Sequence, residues 1–387
     1  MNETLDEALR RLHSTGPEHD GWLSNHGPMA AEALVHHGRA AAVHGWLDAY
    51  ERRLEELPRG IAPIAAGEWR EPLGDPVRTG DWLAFFDRAV RAEPWRDVLA
   101  LWWPRLLPGI AAGATHGVIR VGHAVRALRE QETGARVAEL GQGLAYWAAR
   151  WQPLAPAGRG PYRSSDPRAA LDAVPRVPDQ RSGIRSRLAQ LADLPGWPAA
   201  AGAVPGGGSV EDRLAAIVAA AVRLHATHGY GNPVLLVHAA TAPLAVLRTL
   251  PALPASLHGP SLAAAWAATA AVTATYAPPA ARAFTTGDGA AEATRDHAAE
   301  AVGDGAADAT RDHAAEGTRD RAADATRDRA AEGTGDRAAG AVLQRAVESG
   351  DAHAIKFADA AIEMWAREKD PLLLAAAQQA TDLIMAE

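Results

Sequence analysis

The sequence predicts an all-α fold. It reads as a single large helical domain over residues 1–387, with a long Pro/Gly-rich connection and a low-complexity insertion of eight-residue repeats at 287–342. Two observations support this. Hydrophobic residues make up 48% of the chain and aromatics only 5%, and alanine, the strongest helix former, supplies much of the apolar fraction. Segment after segment outside the connection and the insertion patterns as a helix with one apolar face. There is no cysteine, so disulfides and thiolate metal sites are excluded, and any metal must be held by histidine, carboxylate or a modified lysine.

A net charge of −8 and a pI near 6.0 argue against nucleic acid or an anionic membrane as partner. The opening MNETLDEALRRLHS lacks the apolar core of a signal peptide, and no run of about 18 apolar residues suggests a membrane span. The expectation is a cytoplasmic protein, with its oligomeric state left open.

In chain order, residues 2–14 predict a short helix. Asn25-His26-Gly27-Pro28 then marks a helix start, with Asn25 as cap, proline in the first turn and His26 at the mouth. A helix over 39–55 turns Trp46, Leu47 and Tyr50 inward. A loop covers 58–75, and short helices at 82–91 and 95–103 break at Pro94 and Pro104. In 106–128, Gly109, Gly113, Gly117 and Gly122 imply close backbone approach or room beside a ligand. His116, Arg120 and His123 fall at i, i+4 and i+7, on one face flanked by Val118, Val121 and Val125. Three such groups on an apolar helix point to a functional cavity or to a charged helical surface.

Residues 152–208 predict a connection with one short helix near 183–193 and no core of its own. Gly206-Gly207-Gly208 lacks the lysine of a phosphate loop, and Ser209 with Asp212 forms a capping pair. Helices follow at 210–227, at 232–250 with His238 among apolar neighbours, and at 262–276 around Trp266. His225, His228 and His258 are expected at the surface or at caps. The insertion comprises seven units such as RDHAAEGT, without a large apolar residue. Eight residues turn the Ala-Ala pair by roughly 80° per unit, so no apolar stripe forms. His297 and His313 within it are poor ligand candidates, and 331 residues remain for the domain. A helix over 341–347 then leads to Asp351, which caps a helix carrying His353 and Lys356, and a last helix covers 371–386.

Lys356 is one of two lysines among 39 basic residues. It shares a helical face with His353, and apolar neighbours would favour its neutral form. Taken alone, this stretch reads more simply as a lysine snorkelling from an amphipathic helix. Yet His26, His116, His123, His238 and His353 occupy four helical segments in apolar or glycine-rich settings. Together they look more like a metal site than like five separate core histidines, although no compact motif such as His-Glu-x-x-His is present.

Four stretches resemble the questin oxidase-like family: NHGPMAAEAL from Asn25, HGVIRVGHAVRAL from His116, VHAAT from Val237 and DAHAIK from Asp351. Pro72-Leu73-Gly74, Trp82 and Phe85-Phe86 add weaker support, and the likeness covers nearly all of the chain outside the connection and the insertion. The resemblance implies an oxidoreductase of secondary metabolism that cleaves or oxidises an aromatic polyketide ring with dioxygen. It implies a non-haem Fe(II) centre held by several histidines and a carboxylated lysine. Carried onto this sequence, His26, His116, His238 and His353 are the expected ligands and Lys356 the modified lysine, which reverses the snorkelling reading.

His123 and Arg120 are then expected to face the substrate or support the ligands, with His123 as candidate base, although His123 in place of one of the four ligands stays open. Met29 and tryptophans are expected to line a hydrophobic slot. Whether the reaction is that of a dioxygenase or a monooxygenase is not specified. No glycine-rich dinucleotide fingerprint occurs, so no cofactor-binding residues are predicted and NADPH enters only as an external reductant. The competing classes are an NADPH-dependent Baeyer–Villiger-type monooxygenase without iron, and a non-catalytic, metal-stabilised helical protein.

Overall fold

The structure, a computed structural model, describes residues 2–158, 166–284 and 333–386. Helices α1 (Asn2–Leu12), α2 (Gly27–His36) and α3 (Ala40–Tyr50) come first. A two-residue antiparallel hairpin, β1 (Glu18–His19) with β2 (Leu23–Ser24), lies between α1 and α2. Next are α4 (Thr79–Ala92), α5 (Trp95–Leu106), α6 (His116–Glu130) and α7 (Gly134–Ala149), then the short α8 (Pro167–Asp172), α9 (Ile184–Ala189) and α10 (Trp197–Gly202). The chain continues through α11 (Val210–His228), α12 (Pro233–Leu236), α13 (His238–Thr249) and α14 (His258–Tyr276). After a helix at 333–349, here α15, it ends with α16 (Ala352–Glu368) and α17 (Pro371–Met385). The fold is all-α, as the composition predicts.

Helix α6 is the axis. Every residue from His116 to Leu128 is buried, and the helix packs against α2, α7 and α13. A Cβ added at Gly122 would stand 2.5 Å from the Cα of Ala245, so α6 and α13 touch backbone to backbone at a position only glycine fits. This contact brings the starts of the two helices, each a histidine, to one place. Helix α16 packs on α2, α11, α13 and α17, which carries its first turn to the same end of the bundle.

Several expectations are corrected. Helix α5 runs through Pro104 to Leu106, at the loss of the one backbone hydrogen bond that the proline nitrogen cannot donate. The helix expected at 232–250 is two, with Asn232 capping α12 and His238 opening α13. The connection does have a core: Val174, Leu188, Leu191 and Trp197 pack with Ala270 and Ala274 of α14, whose small side chains leave room for the indole. His225 is fully buried, its Nε2 2.9 Å from the carbonyl oxygen of Pro233 and its ring 4.6 Å from that of Phe357. Of the expected insertion, 287–332 with His297 and His313 lies outside the described residues. Residues 333–342 belong to α15, which buries Ala339, Val342 and Leu343. One segment, Pro233–Ala252, is long and apolar enough to cross a membrane, with mean hydropathy 1.5, but 89% of that window is buried inside the fold.

Candidate metal centre

Four histidines meet where four helices begin. His26 directly precedes α2, where Asn25 Oδ1 accepts from the Gly27 N–H at 2.9 Å, His116 opens α6, His238 opens α13 and His353 stands in the first turn of α16. Local sequence explains the helix starts: Pro28 fits the first turn of α2, and the Asp351 carboxylate accepts from the backbone N–H groups of His353 and Ala354. Three N-terminal dipole ends, those of α2, α6 and α16, therefore lie at the cluster, disfavouring protonated imidazole and favouring an anionic donor.

The imidazole of His116 is central. Its Nε2 lies 2.7 Å from Nε2 of His26 and 3.1 Å from Nε2 of His238, and the His353 ring is 4.4 Å from that of His26. Ligand atoms of His26, His116 and His353 lie within 4.8 Å of one another. The other ring nitrogens decide the tautomers. Nδ1 of His116 is 2.5 Å from the carbonyl oxygen of Gly113, and Nδ1 of His238 is 3.1 Å from that of Leu235. Carbonyl oxygens only accept, so both hydrogens sit on Nδ1 and both Nε2 atoms present lone pairs.

His353 follows the same rule, with Nδ1 3.3 Å from an Asp351 carboxylate oxygen. His26 can relieve one contact by donating its own Nε2–H to His116. The His116–His238 pair cannot, because two lone pairs face each other at 3.1 Å, a conflict that a shared cation would resolve. Two nitrogens bound at right angles to one ion at about 2.1 Å lie about 3.0 Å apart, so the observed spacing fits. Protonation does not resolve it: burial, then the nearby Lys356 charge, pushes His26 and His116 well below the ordinary histidine range. For His238, burial and His116 act ahead of Lys356 in the same direction.

Lys356 is 1% exposed, and its Nζ has no hydrogen-bond partner among the described residues. Burial pulls its amine down to about 7. Its charge acts on all four imidazoles, so it lies within electrostatic range of their cluster, on the same helix as His353 and one turn after it. An orphaned amine of this kind beside aligned imidazole lone pairs suits a donor set for a metal ion, either directly or after carboxylation.

Arg120 and His123 do not join the cluster. Arg120 donates to both Glu139 oxygens, at 2.6 and 2.9 Å, and His13 Nε2 is 2.8 Å from the same carboxylate. His123 gives its Nδ1–H to Glu32 at 2.6 Å, and Glu32 also accepts from Arg126. Neither residue lines the cavity that reaches His116. Of the two places expected for them, the contacts fit support of the ligand-bearing helices: Arg120 ties α6 to α7 through Glu139, and His123 ties α6 to α2 through Glu32. Seven residues along a helix is a rise of about 10.5 Å, which already separates His123 from His116.

Reading the sequence missed Glu32, Glu139, Arg126, Arg248 and Asp359, because a charged residue in an alanine-rich helix looks the same whether solvated or paired. Nor did it single out His19, which is 5% exposed and close enough to influence His353.

The cluster is reached by a cavity of about 150 Å³ lined by His116, Trp22, Ala114, Ile184, Leu235 and Tyr276. Met29, expected in such a slot, is instead fully buried in the core. Gly113 and Ala114, which line the cavity, and the buried Thr115 that follows them have φ of +53°, +55° and +69°, a left-handed run that two non-glycine residues adopt at a cost. That run aims the Gly113 carbonyl at the His116 ring. The sequence matches no family model and no curated protein.

Proposed function

We propose that the protein is a non-haem iron oxygenase that oxidises or cleaves an electron-rich aromatic polyketide, of anthraquinone or hydroquinone type, in secondary metabolism. The observation that carries this reading is the His116–His238 pair, two lone pairs held face to face beside a buried, unpartnered lysine. Imidazole suits iron, copper, nickel and zinc alike, and the choice of iron comes from the family resemblance.

His26, His116, His238 and His353 would hold the ion. The backbone carbonyls of Gly113 and Leu235 and the Asp351 carboxylate fix three of the rings by accepting their Nδ1–H. Lys356, with an amine near pKa 7, is neutral often enough at neutral pH to add to carbon dioxide. The N–C bond forms, a C=O π bond opens and the amine proton leaves, converting the lysine into an anionic oxygen donor. The chemistry that iron supplies when bound is electron exchange with dioxygen, which a closed-shell aromatic lacks. Trp22, Ile184, Leu235 and Tyr276 would hold the ring next to His116 and keep water out. An NADPH-dependent route without iron has less support, because the described residues hold no parallel sheet of the dinucleotide-binding type.

The test is metal analysis followed by oxygen uptake. Protein purified from iron-supplemented cells, or titrated anaerobically with Fe(II), should hold about one iron per chain and consume dioxygen with an anthrahydroquinone faster than that substrate autoxidises with the metal-free protein. Protein that neither carries nor gains iron sinks the reading, and retained zinc without oxygen uptake points to a metal that only stabilises.

A further inference from the structure

The cavity above His116 contains a phenol without a partner. Tyr276, the last residue of α14, is 3% exposed and lines the cavity, and its hydroxyl bonds nothing among the described residues. A buried hydroxyl left unpaired is destabilising, so one in a cavity wall suits a ligand that accepts from it. Burial pushes this phenol up to about 12, which keeps it a donor at neutral pH.

Arg187 lies over the Tyr276 ring, its guanidinium carbon 4.4 Å from the centroid, and also lines the cavity. It donates to the carbonyls of Ser182 at 2.5 Å and Thr275 at 2.9 Å, and Asp179, which also feels its charge, is paired with Arg181. No carboxylate lines the cavity. A space of about 150 Å³ takes one aromatic ring. It adjoins a larger cleft of about 410 Å³, with Trp22, Gly113, Gly183 and Ile184 common to both, and that cleft adds Arg150 and Arg185 and again no carboxylate. Arg150 is already paired with Glu18, whereas Arg185 is exposed.

We propose that this cavity is the ring-binding subsite for an ionised phenol or enol, with Tyr276 donating a hydrogen bond to the ring oxygen beneath Arg187 and further rings extending into the outer cleft. The substrate class is thus narrowed to polycyclic aromatics whose buried ring carries an ionisable hydroxyl. The inference rests on the aromatic-substrate part of the proposed function and not on the identity of the metal.

The test uses the full chain and two single-ring probes, 4-nitrophenolate at pH 8.5 and nitrobenzene, titrated by calorimetry. Wild type should bind the phenolate more tightly than nitrobenzene. Tyr276→Phe should weaken phenolate binding about 10- to 100-fold and leave nitrobenzene unchanged, because its hydroxyl supports nothing in the fold. Arg187→Met should show the same selectivity, with thermal unfolding checking that each variant is folded. Equal phenolate binding by wild type and Tyr276→Phe, or no binding of either probe to wild type, overturns the proposal. Iron content is measured on the same samples. Selective loss in Tyr276→Phe without any iron leaves the subsite standing and sinks the oxygenase, whereas iron without that loss does the reverse.

Discussion

Lys356 and Asp359 lie one helical turn apart on α16, both fully buried, and make no bond to each other. Asp359 accepts instead from Arg126, Arg248 and His37, at 2.8 to 3.0 Å, while Nζ of Lys356 stands alone. Helical spacing would allow the pair to meet, and had it done so the lysine would be held as an ammonium. The arginines keep the acid occupied and leave the amine at the histidine cluster.

Lys356→Met therefore has two separable consequences. In the metal-free protein the folded-state pKa of about 7 lies below the unfolded value of about 10.4, so the folded chain binds fewer protons between them. Wild-type stability should rise with pH across that window, the penalty being full below it and absent above it. The variant should lack the rise and be more stable than wild type at pH 7, on the order of 2 kcal/mol, by urea unfolding. It should also lose bound metal, and full metal content in the variant would remove the lysine from the site.

His116→Ala and His123→Ala should behave differently although both are buried on α6. The first removes the central imidazole and should abolish metal binding. The second leaves a Glu32 oxygen short of a donor and should lower stability by about 1–3 kcal/mol with metal content intact. Elemental analysis beside urea unfolding distinguishes them, and metal loss in both would return His123 to the ligand set.

Glu139 sets an acid limit. Burial alone would raise its carboxyl, but Arg120 outweighs that and holds it at about 2. Its contribution is present above the unfolded value of about 4.3 and is lost as pH falls toward 2. Glu139→Gln strands the buried Arg120 and should lower stability by about 3–5 kcal/mol at pH 7, a gap that narrows toward pH 2. A gap that stays constant from pH 6 to pH 3 would show that the ion pair is not its source.

Gly122→Ala should lower stability by about 1–3 kcal/mol, since the new Cβ meets the Ala245 backbone. Gly134→Ala, in the first turn of α7 with nothing within 4 Å of the added carbon, should be neutral or slightly stabilising. A thermal-shift comparison checks both, and equal melting points would mean that α6 and α13 do not touch as closely as Gly122 indicates.

Helix periods, proline positions and caps depend on neighbours a few residues away. The all-α class, the Ser209–Asp212 capping box and the Asp351 cap could therefore be read from the chain before any packing was known. So could the short list of histidines in apolar segments. Which of them meet could not be read, because His116 and His238 are 122 residues apart and come together only where Gly122 lets α6 lie against α13. The same limit hid the partners of Glu32, Glu139 and Asp359 and the unpaired hydroxyl of Tyr276. A side chain's propensity is local, but its hydrogen-bond partner and its burial belong to whichever helix crosses it.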